Sequence, residues 1–383
     1  MGFSEIAVYQ FRNLADQRVD TDARELFLVG ENGMGKTNFL EAVYYLSYAG
    51  SFRSRRDEQI VRHGADEMAV RGVLDREGDR RELSCKNRNR KKEIELDGER
   101  VTDRKELISV MPCVVFCHED IEFVKGAPDM QRYFLDQTLS MYNPLFIDDM
   151  RRYRRVLKSR NLALKAGHND VLPVYDEQLV EVGLHLQENR RVAVEAFNRT
   201  FSELFRLISG LEEPLQLLYR PSWRDAASSG GSAVDGSYRA GGTPRAATPK
   251  PERALQILTE RREQDLYFRT TTSGPHRDKF RYDFGGKDFT EMGSTGQLRL
   301  VSLILRVAQA QFYREQTGRA PLLLFDDVLL ELDPGRRRRF FDALPEYEQA
   351  FFTFLPDEQY ERYRSNETLL YRVVDGNLIR EAL

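Results

Sequence analysis

A glycine-rich segment at residues 30–37 has the spacing of a phosphate-binding loop. It reads Gly-Glu-Asn-Gly-Met-Gly-Lys-Thr and fits the pattern G-x-x-x-x-G-K-[ST]. Glycines permit positive φ angles and a close backbone approach, so successive N–H groups can face phosphate oxygens. Lys36 would neutralise the β- and γ-phosphates of ATP, and Thr37 would offer its hydroxyl to Mg²⁺. The predicted ATP-binding residues are Gly30, Glu31, Asn32, Gly33, Met34, Gly35, Lys36, Thr37 and Asn38.

An apolar run that ends in two carboxylates supplies the second candidate group. Residues 321–327 read Pro-Leu-Leu-Leu-Phe-Asp-Asp. Strands buried on both faces read as unbroken apolar runs, and ligands lie at the carboxyl ends of parallel strands. Asp326 would therefore hold Mg²⁺ together with Thr37, and Asp327 would orient or deprotonate the attacking water. A helix cap or turn acid is the structural alternative. The predicted catalytic residues are Lys36, Asp326 and Asp327.

A third group precedes the apolar helix pattern that runs from Leu298 to about Phe312. Ser294 and Gln297 have the S-x-x-Q spacing of a capping box, which is a purely structural role. The same geometry offers a hydroxyl, free N–H groups and a helix end to an anion. The pattern does not separate these two interpretations, and both stay open.

These groups need regular elements to position them. The apolar run at residues 25–29 predicts a strand before the loop, and a helical pattern follows from Lys36 to Tyr48. Ile6, Val8 and Phe11 alternate with polar neighbours and predict a strand at the start. Further strands are predicted at 68–73, 93–96, 113–116, 281–284, 322–325 and, as the final strand, 350–354.

The middle of the chain interrupts this α/β pattern with long helices between Pro128 and Gly210. Asn143 can cap one helix, with Pro144 at its first position, and Gly167 ends it. A second helix begins near Asn169 and would be roughly 55 Å long if unbroken. Two long helices joined by so short a loop should lie antiparallel. We call residues 121–212 the helical arm.

Residues 224–252 are rich in Gly, Ser, Ala and Pro, and they cannot bury enough apolar surface to offset the entropy of ordering. They predict a mobile loop. The predicted organisation is an ATPase lobe formed by 1–120 and 213–383, with the helical arm 121–212 as a second lobe.

Composition and charge limit the classes of protein to which the chain can belong. The chain of 383 residues is 41% hydrophobic and 31% charged, which is typical of a soluble globular protein. No run approaches the roughly 20 apolar residues of a membrane span, the N-terminus lacks a secretory pattern, and three cysteines are too few for a disulfide framework. We expect a cytoplasmic protein with no membrane partner. The net charge is −3, so attraction to nucleic acid must come from local basic clusters.

The three motifs together resemble the head of ABC-type ATPases, with Walker A at 30–37, the signature at 293–297, Walker B at 322–327 and a D-loop at 332–333. The resemblance implies an α/β P-loop NTPase fold of the ABC type with an inserted helical arm. The stretch from Thr37 to Met292 is too long for a compact transporter subunit. It looks like the insertion of the SMC-like branch, which acts on DNA.

Within that branch, the chain resembles the RecF family of bacterial replication and repair proteins. The resemblance covers essentially the whole chain except the loop at 224–252. Its motifs are Gln10-Phe-Arg-Asn13, Ser51-Phe-Arg53, Glu119-Asp120, Ser273-Gly-Pro-His-Arg-Asp278, and Asp326-Asp327 with Glu331-Leu-Asp333.

The resemblance implies a weak, DNA-stimulated ATPase that works as a switch. Two copies would trap ATP between Lys36 of one copy and Ser294, Gly296 and Gln297 of the other, with Asp333 in the D-loop. The ATP-bound dimer would clamp double-stranded DNA near single-strand gaps and, with RecO and RecR, direct RecA to gapped DNA. A link to recombination and to the SOS response is also implied.

Some positions depart from the usual ABC pattern. Asp327 stands where glutamate is usual, so we expect slow hydrolysis. Thr353 or Phe354 stands where transporters carry a histidine, which puts that phosphate contact in doubt. Residues 116–120 differ from the expected proline-containing form, and Glu119 is a candidate sensor near the metal.

Basic clusters are the candidate DNA contacts, although any one run is also typical of a solvated face. Arg151, Arg155 and Lys158 have the i, i+4, i+7 spacing of one helix face. Contacts of this kind would be sequence-independent and salt-sensitive. The predicted DNA-binding residues are Arg53, Arg55, Arg56, Lys91, Arg151, Arg155 and Lys158.

Other chemistries fit the sequence less well. A nuclease fused to an ABC-like head needs extra convergent carboxylates for a second metal site, and no such cluster stands out. A transport ATPase subunit lacks the helical arm and would carry the histidine. Cys113, Cys117 and His118 are too few ligands for zinc. His276 is a candidate catalytic group, but we favour a role in packing or nucleotide coupling.

Overall fold

The computed structural model describes residues 2–54, 56–76, 79–224, 248–328 and 332–381. Two compact units are formed, unit 1 from Met1–His118 with Tyr313–Leu383 and unit 2 from Glu119–Phe312. No described helix is both long enough and apolar enough to cross a membrane.

The described part of unit 1 is mainly β-structure. Its strands are β1 Gly2–Tyr9, β2 Gln17–Asp20, β3 Glu25–Val29, β4 Glu67–Arg76, β5 Asp79–Arg88, β6 Lys91–Leu96, β7 Glu99–Arg100, β8 Cys113–Phe116, and, after unit 2, β12 Leu322–Phe325, β13 Gln349–Phe354, β14 Thr368–Val374 and β15 Asn377–Arg380. Its helices are α1 Lys36–Tyr48, α2 Lys105–Val110 and α11 Pro334–Asp342.

Two six-stranded sheets make up unit 1. One is antiparallel, in the order β2-β1-β4-β5-β6-β7, and the other has the order β15-β14-β3-β13-β12-β8. In the second sheet all neighbours are parallel except β14 and β15. Helix α1 contacts strands of both sheets, and one apolar core joins them. Because β3, β13 and β12 are adjacent and parallel, the residues that follow them meet at one edge.

Unit 2 is mainly helical. Its helices are α3 Glu122–Lys125, α4 Pro128–Tyr142, α5 Pro144–Ala166, α6 Leu172–Ser209, α7 Pro251–Glu260, α8 Arg262–Phe268, α9 Phe289–Met292 and α10 Thr295–Thr317, the last of which contains the boundary with unit 1. Its strands are β9 Leu215–Arg220, β10 Lys279–Phe284 and β11 Lys287–Asp288, and they form a sheet in the order β11-β10-β9.

The two long helices of the arm are present as predicted. The Asn143 side chain accepts a hydrogen bond from the Phe146 N–H at 3.3 Å, and Gly167 ends α5 in the left-handed region at φ 74°. Helix α6 has 38 residues, which corresponds to about 57 Å. Unit 2 also includes residues 213–312, which the prediction placed in the ATPase lobe, because β9 packs on α6.

The structure corrects three predictions about secondary structure. Strand β13 is not the final strand, because β14 and β15 follow it in the chain and belong to the same six-stranded sheet. Phe11 lies outside β1 and makes only an isolated bridge to Val61. The predicted loop 224–252 is too long at its C-terminal end, because Pro251 begins α7 with the φ angle that a first helical turn needs. Residues 225–247 lie outside the described residues.

Candidate nucleotide-binding site

The phosphate-binding loop joins β3 to α1 with the backbone that its glycines allow. Gly33 and Gly35 have positive φ angles of 81° and 114°, and Gly35 is the N-cap of α1. A side chain at Gly30 would collide with the Val373 carbonyl oxygen, and a Cβ at Gly35 would lie 3.0 Å from the Leu14 side chain. The loop therefore requires glycine for conformation at Gly33 and Gly35 and for space at Gly30 and Gly35.

Lys36 turns its side chain back into this loop. Its ammonium group donates hydrogen bonds to the Gly30 carbonyl at 2.7 Å and the Glu31 carbonyl at 3.2 Å. The side chain is buried, so carbonyl groups of the loop, and not bulk water, solvate its positive charge. An anion bound to the loop would meet this charge in a setting of low dielectric, where its attraction is strong.

Thr37 and Asp326 come together from two different strand ends. The Thr37 hydroxyl donates a hydrogen bond of 2.6 Å to Asp326 Oδ1. The Asp326 N–H donates to the Phe116 carbonyl of β8 at 2.9 Å, which fixes the backbone beside the carboxylate. A hydroxyl and a carboxylate are the hard oxygen ligands that Mg²⁺ prefers, so these two residues fit the predicted metal. The described residues contain no group of three or more His, Cys, Asp or Glu side chains suited to a metal.

Asp327 has an unusual backbone and a specific partner. Its φ angle is 53°, in the left-handed region that few residues other than glycine adopt. Its N–H donates to the Thr353 hydroxyl at 2.8 Å, and that hydroxyl donates to Asp327 Oδ1 at 2.7 Å. Thr353 was singled out in the sequence only as one of two replacements for the absent histidine. The structure gives it a different contact, with the carboxylate next to Asp326.

A polar network surrounds the outer side of the loop. The Asn13 side chain donates to the Gly33 carbonyl at 2.9 Å, and the Asn38 side chain donates to Asn13 at 2.6 Å. Arg53 in turn donates to Asn38 at 3.0 Å. These contacts connect two motifs of the family resemblance, at residues 10–13 and 51–53, to the phosphate-binding loop.

Glu41 is a residue that the sequence analysis missed. It lies on α1, fully buried, and accepts two hydrogen bonds from the Arg12 guanidinium at 2.8 and 2.9 Å. Ser51 also donates to it. The signal in the sequence was a single acidic residue inside the apolar helix pattern Phe39-Leu-Glu-Ala-Val43, because an unpaired carboxylate would be costly to bury there.

The predicted signature lies in unit 2 and forms a reciprocal capping box. The Ser294 N–H donates to the Gln297 side chain at 2.8 Å, and the Gln297 N–H donates to the Ser294 hydroxyl at 3.3 Å. Ser294 is exposed and Gln297 is half-buried, while the ideal Cβ position of Gly296 has no described atom within 4 Å. The capping box, which was the structural interpretation of this motif, is therefore present. Contact with an anion at this helix end stays a prediction.

The predicted D-loop residue Asp333 is an exposed N-cap of α11. Its side chain accepts a hydrogen bond from the Arg336 N–H at 2.9 Å. This hydrogen bond, together with the charge of Arg336, lowers the pKa of Asp333. A role across a dimer interface stays a prediction.

The candidate DNA contacts are exposed where the structure describes them, and Arg55 lies outside the described residues. Arg151 forms an ion pair of 3.4 Å with Asp148, while Arg53 is partly engaged with Asn38. The described and exposed candidates are Arg53, Arg56, Lys91, Arg151, Arg155 and Lys158.

His276 has both ring nitrogens engaged inside unit 2. Nδ1 lies 2.7 Å from the Tyr153 hydroxyl, and Nε2 lies 3.0 Å from the Thr271 carbonyl oxygen. Burial lowers the pKa of His276 to about 4, so the ring is neutral at physiological pH. These contacts fit the packing role that the sequence analysis favoured.

Comparisons with known proteins agree with this geometry. The family model described as RecF/RecN/SMC N terminal domain matches residues 3–375. The DNA replication and repair protein RecF of Treponema pallidum (strain Nichols) is 38% identical over 367 residues, which cover 96% of this chain and 97% of that protein. A solved structure of the recombination mediator protein RecF with ATP in the RecFOR pathway matches with a TM-score of 0.84 at 27% identity, covering 99% of this chain and 97% of that one.

A more distant match bears on the fold alone. The crystal structure of an Smc head bound to the C-terminal winged-helix domain of ScpA has a TM-score of 0.55 at 13% identity, covering 100% of this chain and 97% of that one. The predicted fold class, an α/β ABC-type ATPase head, is confirmed.

Proposed function

Because the chain belongs to the RecF family of DNA replication and repair proteins, we propose that it is an ATP-dependent DNA-binding protein of recombinational repair and replication restart. ATP would be bound by residues 30–38 with Mg²⁺ at Thr37 and Asp326. The solved relative bound to ATP supports the choice of nucleotide.

One observation carries the proposal. The Thr37 hydroxyl and the Asp326 carboxylate lie 2.6 Å apart, although 289 positions separate them in the chain. They follow β3 and β12, on either side of β13 in one parallel sheet. In open α/β sheets, ligands bind outside the carboxyl ends of the strands, and this is where the two groups meet.

The residues of the site have separable roles in ATP hydrolysis. The backbone N–H groups of the loop and the Lys36 ammonium hold and neutralise the phosphates, while Thr37 and Asp326 hold the metal. Bound Mg²⁺ would supply further neutralisation of phosphate charge. Asp327 orients the attacking water and accepts its proton. An aspartate is one methylene shorter than the usual glutamate, so we expect slow turnover that times a switch.

The ATP-bound state would be a homodimer in which ATP is shared. Ser294, Gly296 and Gln297 of one copy would contact the ATP held by the other, and Asp333 would lie at the same interface. The N-terminus of α10 supports this role, because Ser294, Thr295 and Gly296 are exposed there and the helix dipole favours an anion. Occupancy by ATP would then decide whether two copies clamp double-stranded DNA, and hydrolysis would release it.

The partners are proposed from the family. The clamp would act near single-strand gaps and, with RecO and RecR, promote loading of RecA, with a link to the SOS response. The RecFOR pathway named for the solved relative supports RecO and RecR.

The proposal that two copies share ATP is tested by sedimentation of the purified chain. The experiment is run with and without ATP, Mg²⁺ and a DNA duplex, at two salt concentrations. We expect dimers only with ATP and Mg²⁺, and DNA binding that depends on them. Ser294→Arg should abolish the ATP-dependent dimer, because the bulky cation blocks the approach of the second copy. Gln264→Arg adds the same charge at an exposed site of unit 2 and is the control. A wild-type monomer at saturating ATP and Mg²⁺, with DNA binding unchanged by either, would refute the proposal.

A further inference from the structure

A side chain from the neighbouring strand, Thr353, holds Asp327 in place. Thr353 lies on β13, and Phe352 pairs with Phe325 in the parallel register of β13 and β12. The hydroxyl of Thr353 accepts from the Asp327 N–H at 2.8 Å and lies 2.7 Å from Asp327 Oδ1, to which it donates. The same hydroxyl also lies 3.3 Å from the Phe325 carbonyl oxygen. One group therefore fixes both the backbone and the carboxylate of Asp327.

The backbone of Asp327 needs such a restraint. With φ at 53°, the residue occupies the left-handed region, which is unfavourable for most L-residues, although aspartate tolerates it better than most. Without the bond from its N–H to Thr353, the turn after β12 would lose a hydrogen bond that helps to hold this conformation. The direction of the carboxylate depends on that conformation.

Packing alone does not explain why residue 353 is a threonine. It is buried on β13, where its neighbours are apolar and also buried: Ala350, Phe351, Phe352 and Phe354. Valine would fill the same volume without burying a hydroxyl, which is costly unless it is hydrogen-bonded. The hydroxyl has its partners at Asp327, at the end of the strand where the Thr37 and Asp326 side chains meet.

We propose that Thr353 is a positioning residue for ATP hydrolysis, which holds the Asp327 carboxylate in the orientation that acts on the attacking water. In the part of the chain that the structure describes, Oδ1 is the only oxygen of that carboxylate with a hydrogen-bond partner. Thr353 binds Oδ1 and leaves Oδ2 to accept a hydrogen bond from water. The proposal rests on the proposed ATPase function and adds to it a residue that positions the Asp327 carboxylate.

The chain offers a matched control in Thr368. This threonine is also buried in the same sheet, its hydroxyl accepts from the Ser365 N–H at 2.9 Å, and it donates to Glu25 at 2.9 Å. It pairs with Glu25 at the amino end of β3, whereas Thr353 lies near the carboxyl end of β13. Thr368→Val thus removes the same kind of hydrogen bond at the opposite edge of the sheet.

The test is the steady-state rate of ATP hydrolysis in the presence of DNA as a function of ATP concentration, which gives kcat and KM, with ATP affinity measured on the same samples. Thr353→Val should lower kcat by roughly 10-fold, the loss of about one charge-assisted hydrogen bond, with KM and affinity changed less than about twofold. Thr353→Ser should restore most of the rate, because it keeps the hydroxyl. Thr368→Val should hydrolyse at the wild-type rate. Circular dichroism checks folding, and Thr353→Ala carries the same expectation if the valine variant does not fold.

The outcomes separate the two proposals. A wild-type chain that neither binds nor hydrolyses ATP overturns the proposed function and the positioning role together. Normal wild-type hydrolysis with an equal or faster rate in Thr353→Val and Thr353→Ala overturns the positioning role alone. A rise in KM at constant kcat, or an equal loss in Thr368→Val, would also overturn it, since either result marks a general effect on the sheet.

Discussion

The phosphate-binding site of unit 1 and the buried arginine networks of unit 2 use charged side chains in opposite ways. In unit 1, Lys36, Asp326 and Asp327 lie at the carboxyl end of a parallel sheet, where we propose that they act on ATP. In unit 2, charged side chains are buried and bonded to one another, with Arg160 and Arg190 as the centres of two networks. A charged motif in this chain is therefore not in itself a sign of chemistry, because one group of charged residues is proposed to bind a ligand and the other stabilises the fold.

The Arg190 network shows the second use. Its guanidinium donates to both carboxylate oxygens of Asp136 at 2.9 Å, to Asp278 at 2.9 Å and to the Pro275 carbonyl at 2.7 Å. Asp278 also accepts from Tyr219 at 2.5 Å and from Gln187 at 2.9 Å. The segment 273–278, which carries much of the family resemblance, is thus anchored to α4 and α6 by buried ion pairs.

Removing the centre of this network should give the largest effect on stability. Arg190→Met leaves two buried carboxylates without their cation, so the free energy of unfolding of unit 2 should fall by about 3–5 kcal/mol. Trp223 is the only tryptophan of the chain and is buried in unit 2, so its fluorescence in a urea titration reports this unit. Arg191→Met, which breaks partly exposed pairs with Glu188 and Glu195, should cost less than about 1 kcal/mol. Equal losses of unfolding free energy in Arg190→Met and Arg191→Met would contradict the difference between the buried network and the partly exposed ion pairs.

The complementary change in unit 1 should alter binding and leave the Trp223 transition unchanged. Lys36→Ala removes the buried ammonium that is proposed to neutralise the phosphates, which should weaken ATP binding by about 1.5–3 kcal/mol, or roughly 10- to 150-fold. Lys105→Ala is the control, because its pair with Asp103 at 3.6 Å lies outside the phosphate-binding loop. Calorimetric titration with ATP and Mg²⁺ measures the affinity. Unaltered affinity in Lys36→Ala would contradict the assignment of the loop.

The phosphate-binding loop could be predicted from sequence because its determinants are local. Strand, glycine turn and helix lie within residues 25–48, and α1 has the predicted bounds Lys36–Tyr48. The buried networks could not be predicted in this way, because the partners of Arg190 are as far away as Asp278 and only the fold brings them together. Thr353 was marked, together with Phe354, as a candidate for the position where transporters carry a histidine, but its bond to Asp327 depends on the pairing of β12 with β13.

The end of the parallel sheet and the signature show two other limits of sequence reasoning. Strand β14 was missed because residues 368–374 follow a polar stretch and contain an arginine, so they do not read as an unbroken apolar run. At Ser294 the pattern was read correctly as compatible with a cap, and the cap is present. Whether the same helix end also binds ATP depends on a second copy of the chain, which no local pattern encodes.

Helix α5 carries both uses of charge within a single basic run and allows the finest test. Arg160 is fully buried and bonded to Asp176 and Asp265 at 2.7 Å, whereas Arg151, Arg155 and Lys158 are exposed. Reversing these last three to glutamate should weaken DNA binding by less than about 1 kcal/mol per side chain.

The salt dependence of DNA binding distinguishes direct phosphate binding from a general effect of charge. The slope of log affinity against log salt should become shallower by about 0.9 for each phosphate that the variant no longer neutralises, while ATP affinity stays constant. The control reverses three other exposed arginines of unit 2, Arg199, Arg206 and Arg261, and should leave the slope unchanged. An unaltered slope in the α5 variant would assign the DNA to other exposed cations, such as Arg53, Arg56 or Lys91. The exposed cations of α5 would then not bind DNA, and the functional contrast between them and the buried Arg160 would be refuted.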